Sequence, residues 1–286
     1  QQIGCNIWNY NQDKIPESSV VYDIKGVIGE YQGKKQFSSV SAMAISADQN
    51  MSEFSIHACD ENRAIFIYDE IKERIKLINN TGLHKIVEAV YSEYQEQLYY
   101  ATSAKSVHHV GIFGNMLHMF EVSEIGLAIC RLFIGNSVAP ISTDLVIAGA
   151  LLHDIGKTKI YDIDGPVVEY TTDGMLYEHI VAGILMLREV RHIYDLEEYA
   201  EQFELLEHII LSHHGKLEYG SPVLPRFIEA YIVSVADGIS AKLNTIETAN
   251  KNAIENGKQI TEKLWSLDNQ EFMLQKDIWQ KLYGGQ

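Results

Sequence analysis

The sequence predicts an α+β chain of more than one domain, in which a small, incomplete β part precedes an all-α helical bundle. Three observations predict it. Residues 1–58 alternate short runs of Val, Ile, Tyr and Phe with glycine-rich turns. From Ile65 onward, apolar residues recur at helical spacing. The chain has 286 residues, 46% hydrophobic and only 22% charged, enough for a sizeable core and fitting one large or two ordinary domains.

The elements follow in order. VVYDIKGVIGEYQGKKQFSSVSAMAIS reads as strands punctuated by Gly26, Gly29 and Gly33, with YQGKKQ as a hairpin tip. Three or four such strands are marginal alone, so this part is expected to pack on the rest or to be incomplete. IYDEIKERIKLI carries Ile67, Ile71, Ile75 and Ile78 on one helical face, and LHKIVEAVYSEYQEQLYYA continues in that manner. NMLHMFEVSEIGLAICRLFI, STDLVIAGALLHDIGK, GMLYEHIVAGILMLREV, YAEQFELLEHIILSHHG and RFIEAYIVSVADGISAKLN then read as successive helices. Ser142 or Thr143 caps the second of these, and Gly156 and Gly215 stand at expected helix-ending positions. The polar remainder predicts a helix and a tail that wraps back on the body. The expected divisions are 1–60, 61–250 and 251–286.

Charge and cysteine content exclude several classes. The net charge of −16 rules out a basic nucleic-acid coat, so a polyanionic ligand would need local positive charge. No apolar run approaches the roughly 18 residues of a membrane span. The opening QQIGCNIWNYNQDK has no signal-peptide pattern and no initiator Met, which fits a fragment or a processed form. Cys5, Cys59 and Cys130 form no CxxC pair and no even set, so neither a disulfide framework nor a zinc ribbon is expected, and a cytoplasmic location is.

The histidines carry the chemistry. Most of the eleven lie between residues 108 and 214. His153 and Asp154 close the otherwise apolar run DLVIAGALL, where an unpartnered carboxylate would be costly to bury. Two readings stand: a surface helix end, or part of a buried polar site. The second gains weight because His118, His179, His213 and Asp237 also interrupt apolar helical stretches. Four imidazoles and two carboxylates on successive helices can converge in a bundle core, as bundle metal sites do. That donor set suits manganese, iron, cobalt, nickel or zinc better than calcium.

The order His, His-Asp, His, His, Asp resembles the HD-domain phosphohydrolases. The likeness extends through HHVGIFGNMLHMFEV, AGALLHDIGK, EYTTDGMLYEHIVAG, HIILSHHGKLEYGSPVLPRFIEA and VADGISAK, which together resemble the YhaM-type 3′→5′ exoribonucleases. Those proteins join an N-terminal OB fold to an HD domain. GVIGEYQGKKQ and CNIWNY resemble the later strands of that OB fold, which would here lack its first strands. The resemblance runs from about residue 5 to 248.

It implies two divalent ions per chain, manganese first. His118, His153, Asp154 and Asp237 would hold one. Asp154 would bridge to a second held by His179 and His213, with His214 near that ion or the substrate. It implies water activated between the ions, in-line attack at phosphorus and release of nucleoside 5′-monophosphates. Lys157 would touch a phosphate oxygen; the alternative is a solvated helix-end cation. His108 and His109 would approach the substrate or only shape a helix entry. Glu218, Tyr219 and Ser221 would lie near the site or merely shape the loop after Gly215. Tyr31, Lys34, Lys35 and Phe37 would offer an OB surface to single strands or serve as ordinary hairpin residues. His208 is expected to pack or hydrogen-bond.

The sequence departs from the family pattern in several places. The first motif has Phe113, Gly114, Leu117, His118 and Met119 where the family has two glycines and Glu-His-Thr. Ile160 stands near a usual glutamate, Glu178 where the family tends to have glycine, and Ser240 at its second aspartate. The expected partner is single-stranded RNA, with DNA open, no membrane, and a homo-oligomer favoured by an open barrel edge. A phosphohydrolase of small nucleotides and a single-strand or replication-site binding protein with little hydrolysis are the competing functions.

Overall fold

A computed structural model describes residues 4–5, 22–31, 34–46, 55–105, 109–133, 135, 140–164, 167–275, 278, 281–282 and 284. The stretch CNIWNY beyond Cys5, His108 and the side chains of Tyr31, Lys34, Lys35 and Phe37 lie outside the described residues.

The N-terminal part is a sheet in the order β1-β3-β2, with β1 Gly4–Cys5, β2 Tyr22–Tyr31 and β3 Lys34–Ile45. β2 and β3 are antiparallel from Tyr22↔Ile45 to Tyr31↔Lys34, which agrees with the expected hairpin tip. The register slips between Lys25 and Gly26, where a glycine in a strand accommodates a bulge. β1 adds in parallel along β3. Among the described residues these three strands form an open sheet, not a closed barrel.

The helical body comprises α1 Glu61–Lys76, α2 Thr81–Glu93, α3 Gln95–Tyr100, α4 Gly114–Phe133, α5 Thr143–Leu152, the short α6 Lys157–Ile160, α7 Thr172–Ile193, α8 Ala200–Ser212 and α9 Ile228–Glu255. α5 is apolar all round and buried from Leu145 to Leu152, with α1, α2, α4, α8 and α9 around it. Side-chain caps start the helices. Asp60 accepts from Arg63 N, Asn80 from Leu83 N and Thr171 from Gly174 N. Of the two candidates before α5, Ser142 is the cap, accepting from Leu145 N at 3.2 Å.

Four features differ from the sequence expectation. An unforeseen antiparallel hairpin, β4 Tyr161–Asp164 with β5 Val167–Tyr170, lies between α6 and α7. α7 is broken at Glu178, whose φ of 56° and ψ of 168° leave the helix. Gly156 is not a left-handed cap, since its φ is −61°; Gly215, at +74°, is left-handed. α9 runs past residue 250 to Glu255, so it crosses the division expected there. Beyond it, isolated bridges pair Ile260 with Met273 and Leu264 with Gln270, and Thr261 and Leu274 are buried. No helix among the described residues is long and apolar enough to cross a membrane.

Candidate metal centre

Helix ends and breaks supply most of the polar side chains at the centre of the body. His153 is the C-cap of α5, and Asp154 follows in the turn before Lys157 opens α6. His213 is the C-cap of α8, with His214 next in the chain. His179 follows the break in α7 at Glu178. Only His118 in α4 and Asp237 in α9 project from helix interiors.

Gly156 makes this assembly possible by close approach. A Cβ there would lie 1.9 Å from the His179 carbonyl oxygen and 2.6 Å from Gly183 N. The HD turn and the backbone of α7 therefore pass nearer than any side chain allows.

Asp154 is the meeting point. Its Oδ2 lies 3.4 Å from both His118 Nε2 and His153 Nε2. Its Oδ1 faces the other way, 3.5 Å from His213 Nε2 and 3.7 Å from His179 Nε2. On the Oδ2 side, His118 Nε2 also reaches Asp237 Oδ1 at 3.1 Å and His153 Nε2 at 3.4 Å. On the Oδ1 side, His179 Nε2 and His214 Nε2 are 3.2 Å apart. Two groups of potential ligand atoms result: His118, His153 and Asp237, and His179, His213 and His214.

The ring tautomers are set from behind. His153 Nδ1 donates to Ala150 O, His213 Nδ1 to Ile210 O and His214 Nδ1 to Tyr219 O, each at 2.8 Å. A carbonyl only accepts, so each Nδ1 carries a proton and each Nε2 is turned inward. His118 differs, because its Nδ1 meets the Ser240 hydroxyl at 3.0 Å.

Electrostatics follow from burial and neighbours. Burial outweighs the nearby Asp237 and Asp154 and brings the His118 imidazole down to about 4. Burial, aided by neighbouring imidazoles, also lowers His213 and His214. Burial opposes the charge on Asp154, but Lys157 and His153 hold it well below the ordinary carboxylate range. Asp237 is lowered in the same way, its burial outweighed by His118 and other imidazoles. His153 moves upward, because Asp154 beside it more than offsets its burial.

Lys157 is a buried cation in contact with the centre. Its Nζ lies 2.6 Å from Asp154 Oδ2 and donates to Ser103 Oγ at 3.3 Å. It is therefore not a solvated helix-end cation.

The residues fit a divalent ion. Asp154 Oδ1 and His213 Nε2 are buried and have no hydrogen-bond partner among the described residues. Two acceptors facing each other without a donor carry a desolvation cost that a cation would relieve. Imidazole nitrogen with carboxylate oxygen is a donor set for first-row divalent ions.

Other expected site residues fall differently. The His109 side chain is fully buried and donates Nε2–H to Glu121 Oε2 at 3.0 Å, so its ring is turned toward α4 behind the centre. Glu218 is exposed and pairs with Lys216, while Ser221 is buried. Among the described residues, neither is hydrogen-bonded or ion-paired to the cluster. His208 packs on Phe227 and accepts from Arg226 N, as expected. The sequence reading missed Glu121 and Asn115, whose Nδ2 donates to Asp154 O at 3.1 Å. Their signal was present as polar residues one turn from His118 in an apolar helix.

Comparison with known proteins bears on this geometry. Residues 116–242, which hold all the ligand candidates, match the HD domain family. A 3′-5′ exoribonuclease YhaM of Oceanobacillus iheyensis is 30% identical, the alignment covering 95% of this chain and 83% of the relative. The chain belongs to the YhaM family. The family's protein of the same description in Listeria welshimeri is 31% identical over 95% of this chain and 84% of its own length. That of Geobacillus sp. is 30% identical over 94% and 81%. No solved structure matches.

Proposed function

We propose that this chain is a divalent-metal-dependent 3′→5′ exonuclease that shortens single-stranded RNA. One observation carries the reading: the two oxygens of Asp154 are divided between two groups of inward-facing imidazole nitrogens. Membership of the YhaM family supports it, since the relatives bear the description 3′-5′ exoribonuclease.

On this reading His118, His153, Asp154 and Asp237 hold one ion. Asp154, His179 and His213 hold a second, with His214 as a further ligand. Bound divalent ions, manganese first, supply an acidified water and neutralise phosphodiester oxygens. The chain's own residues do the rest. Backbone carbonyls fix the ring protons at Nδ1, which keeps Nε2 open. Lys157 brings a fixed positive charge beside Asp154, where it can take a phosphate oxygen. Together with the ions it gives an acidic protein a locally positive site. The helical body through the end of α9 at Glu255 forms the catalytic unit, the N-terminal sheet an OB-like part that guides the strand, and the residues after Glu255 an accessory tail. The reducing cytoplasm suits its three unpaired-looking cysteines.

The test uses single-stranded RNA labelled at its 5′ end, with Mn²⁺. The expected result is shortening one nucleotide at a time from the 3′ end, with release of 5′-monophosphates and no reaction in Asp154→Asn. Intact RNA, retardation without cleavage, or hydrolysis of mononucleotides alone would each overturn it.

A further inference from the structure

His118 is the one ring of the centre whose Nδ1 rests on a side-chain hydroxyl. A serine hydroxyl can donate or accept, so by itself it leaves the tautomer of its partner undecided. If Ser240 gave its proton to Nδ1, the inward Nε2 of His118 would be protonated and closed to a cation. The structure sets a second carboxylate behind the serine, opposite the Asp237 carboxylate that faces Nε2. Ser240 Oγ donates to Glu121 Oε2 at 2.7 Å. A carboxylate is a stronger acceptor than a neutral imidazole, so the one serine proton is committed to Glu121. Ser240 then offers His118 only a lone pair, at 3.0 Å, which favours the ring proton at Nδ1, against the pull of Asp237 Oδ1 at 3.1 Å from Nε2.

Glu121 is itself held. His109 Nε2 donates to the same Oε2 at 3.0 Å, and the His109 main-chain N–H donates to Asn244 Oδ1 at 2.9 Å. The chain His109, Glu121, Ser240, His118 thus ties α4 to α9, the helix that also bears Asp237. Only Glu121 in it is partly exposed, at 36% of its side chain.

We infer that Glu121 is a positioning residue which, acting through Ser240, holds His118 in the tautomer that presents Nε2 to a divalent ion. The relay does in two steps what a carboxylate at position 240 would do in one. The inference rests on the metal-dependent reading above.

The experiment measures Mn²⁺ binding by calorimetry and the His118 ring tautomer by nitrogen NMR of the metal-free protein. Glu121→Gln and Ser240→Ala are expected to weaken binding at the His118 half by about 10–100-fold, the usual effect of losing such support. In Glu121→Gln the His118 resonances should move from the Nδ1–H toward the Nε2–H pattern. Ser240→Asp combined with Glu121→Gln should restore both affinity and tautomer, which a merely structural role would not do. Unchanged affinity and tautomer in the single variants, or no recovery in the double variant, would overturn the inference. Absence of Mn²⁺ binding by the unmodified protein would instead sink the metal-dependent reading.

Discussion

Replacing Gly156 by alanine puts the closest contact of the centre under load. The residue is helical, with φ of −61°, so alanine adds no backbone strain and only space matters. The new Cβ would stand 1.9 Å from His179 O, 2.6 Å from Gly183 N and 2.8 Å from the His179 carbonyl carbon. All three are backbone atoms, so no rotamer relieves the overlap. Ordinary contact begins at 3.4 Å, so the HD turn or α7 must give by about 1.5 Å. Overpacking of this kind costs about 1–3 kcal/mol. The displaced residue is His179 itself, whose Nε2 lies 3.2 Å from His214 Nε2. A misplacement of about 1 Å can cost on the order of 100-fold in a positioned reaction.

Gly156→Ala should therefore lower the melting temperature by a few degrees and remove Mn²⁺ binding at the His179, His213 and His214 half. Binding at the His118 half should be kept. Gly238→Ala is the control, since it also adjoins a site residue but its Cβ would meet nothing within 4 Å. In the middle of α9 it should stabilise, by up to about 1 kcal/mol. Thermal unfolding in chelator and calorimetric Mn²⁺ titration read both effects. Wild-type melting with two intact binding steps in Gly156→Ala would refute the packing argument.

Three further outcomes follow from the structure. Glu178→Gly should raise thermal stability by about 1 kcal/mol, because φ 56° with ψ 168° is a region nearly reserved for glycine. A lower melting temperature would show that the exposed Glu178 makes good its strain. Asp154→Asn should cost about 3–5 kcal/mol in denaturant unfolding, since it leaves the buried Lys157 without its counter-charge. Asp154→Asn with Lys157→Met should recover stability but not RNA cleavage, and wild-type stability of the single variant would discount the ion pair.

The metal-free protein should also lose stability as pH falls from 6.5 toward 4. His118 is held at about 4, with His213 and His214 lowered too, so in that window the unfolded chain binds more protons. His118 alone accounts for about 3 kcal/mol. His153 acts with the opposite sign, and the lowered carboxylates act only below about 3.8. A flat or rising melting temperature on acidification in chelator would contradict this balance.

The side chains that converge on the centre were legible because each breaks an apolar run: a histidine within NMLHMF or IILSHH has no reason to be there if the surrounding face is only core. The helices were legible from the same runs. What escaped depends on contacts between distant residues. Glu121 meets Ser240 across 119 positions, so its place one turn from His118 was readable but its partner was not. His109 adjoins a motif and so looked like a substrate contact, yet its burial is decided by α4 and α9 packing over it. The β4–β5 hairpin was hidden by its position between two helix signals, although YDID and VVEY alternate as strands do. Gly156 was expected as a helix cap, but its constraint comes from α7 and not from its own φ.

Lys157 has one more consequence. By resting its ammonium on Asp154, the chain keeps a counter-ion of its own at the point where its buried negative charge is densest. Folding can thus run to completion before any inorganic cation arrives. An ion taken up at Asp154 would compete with that ammonium for Oδ2.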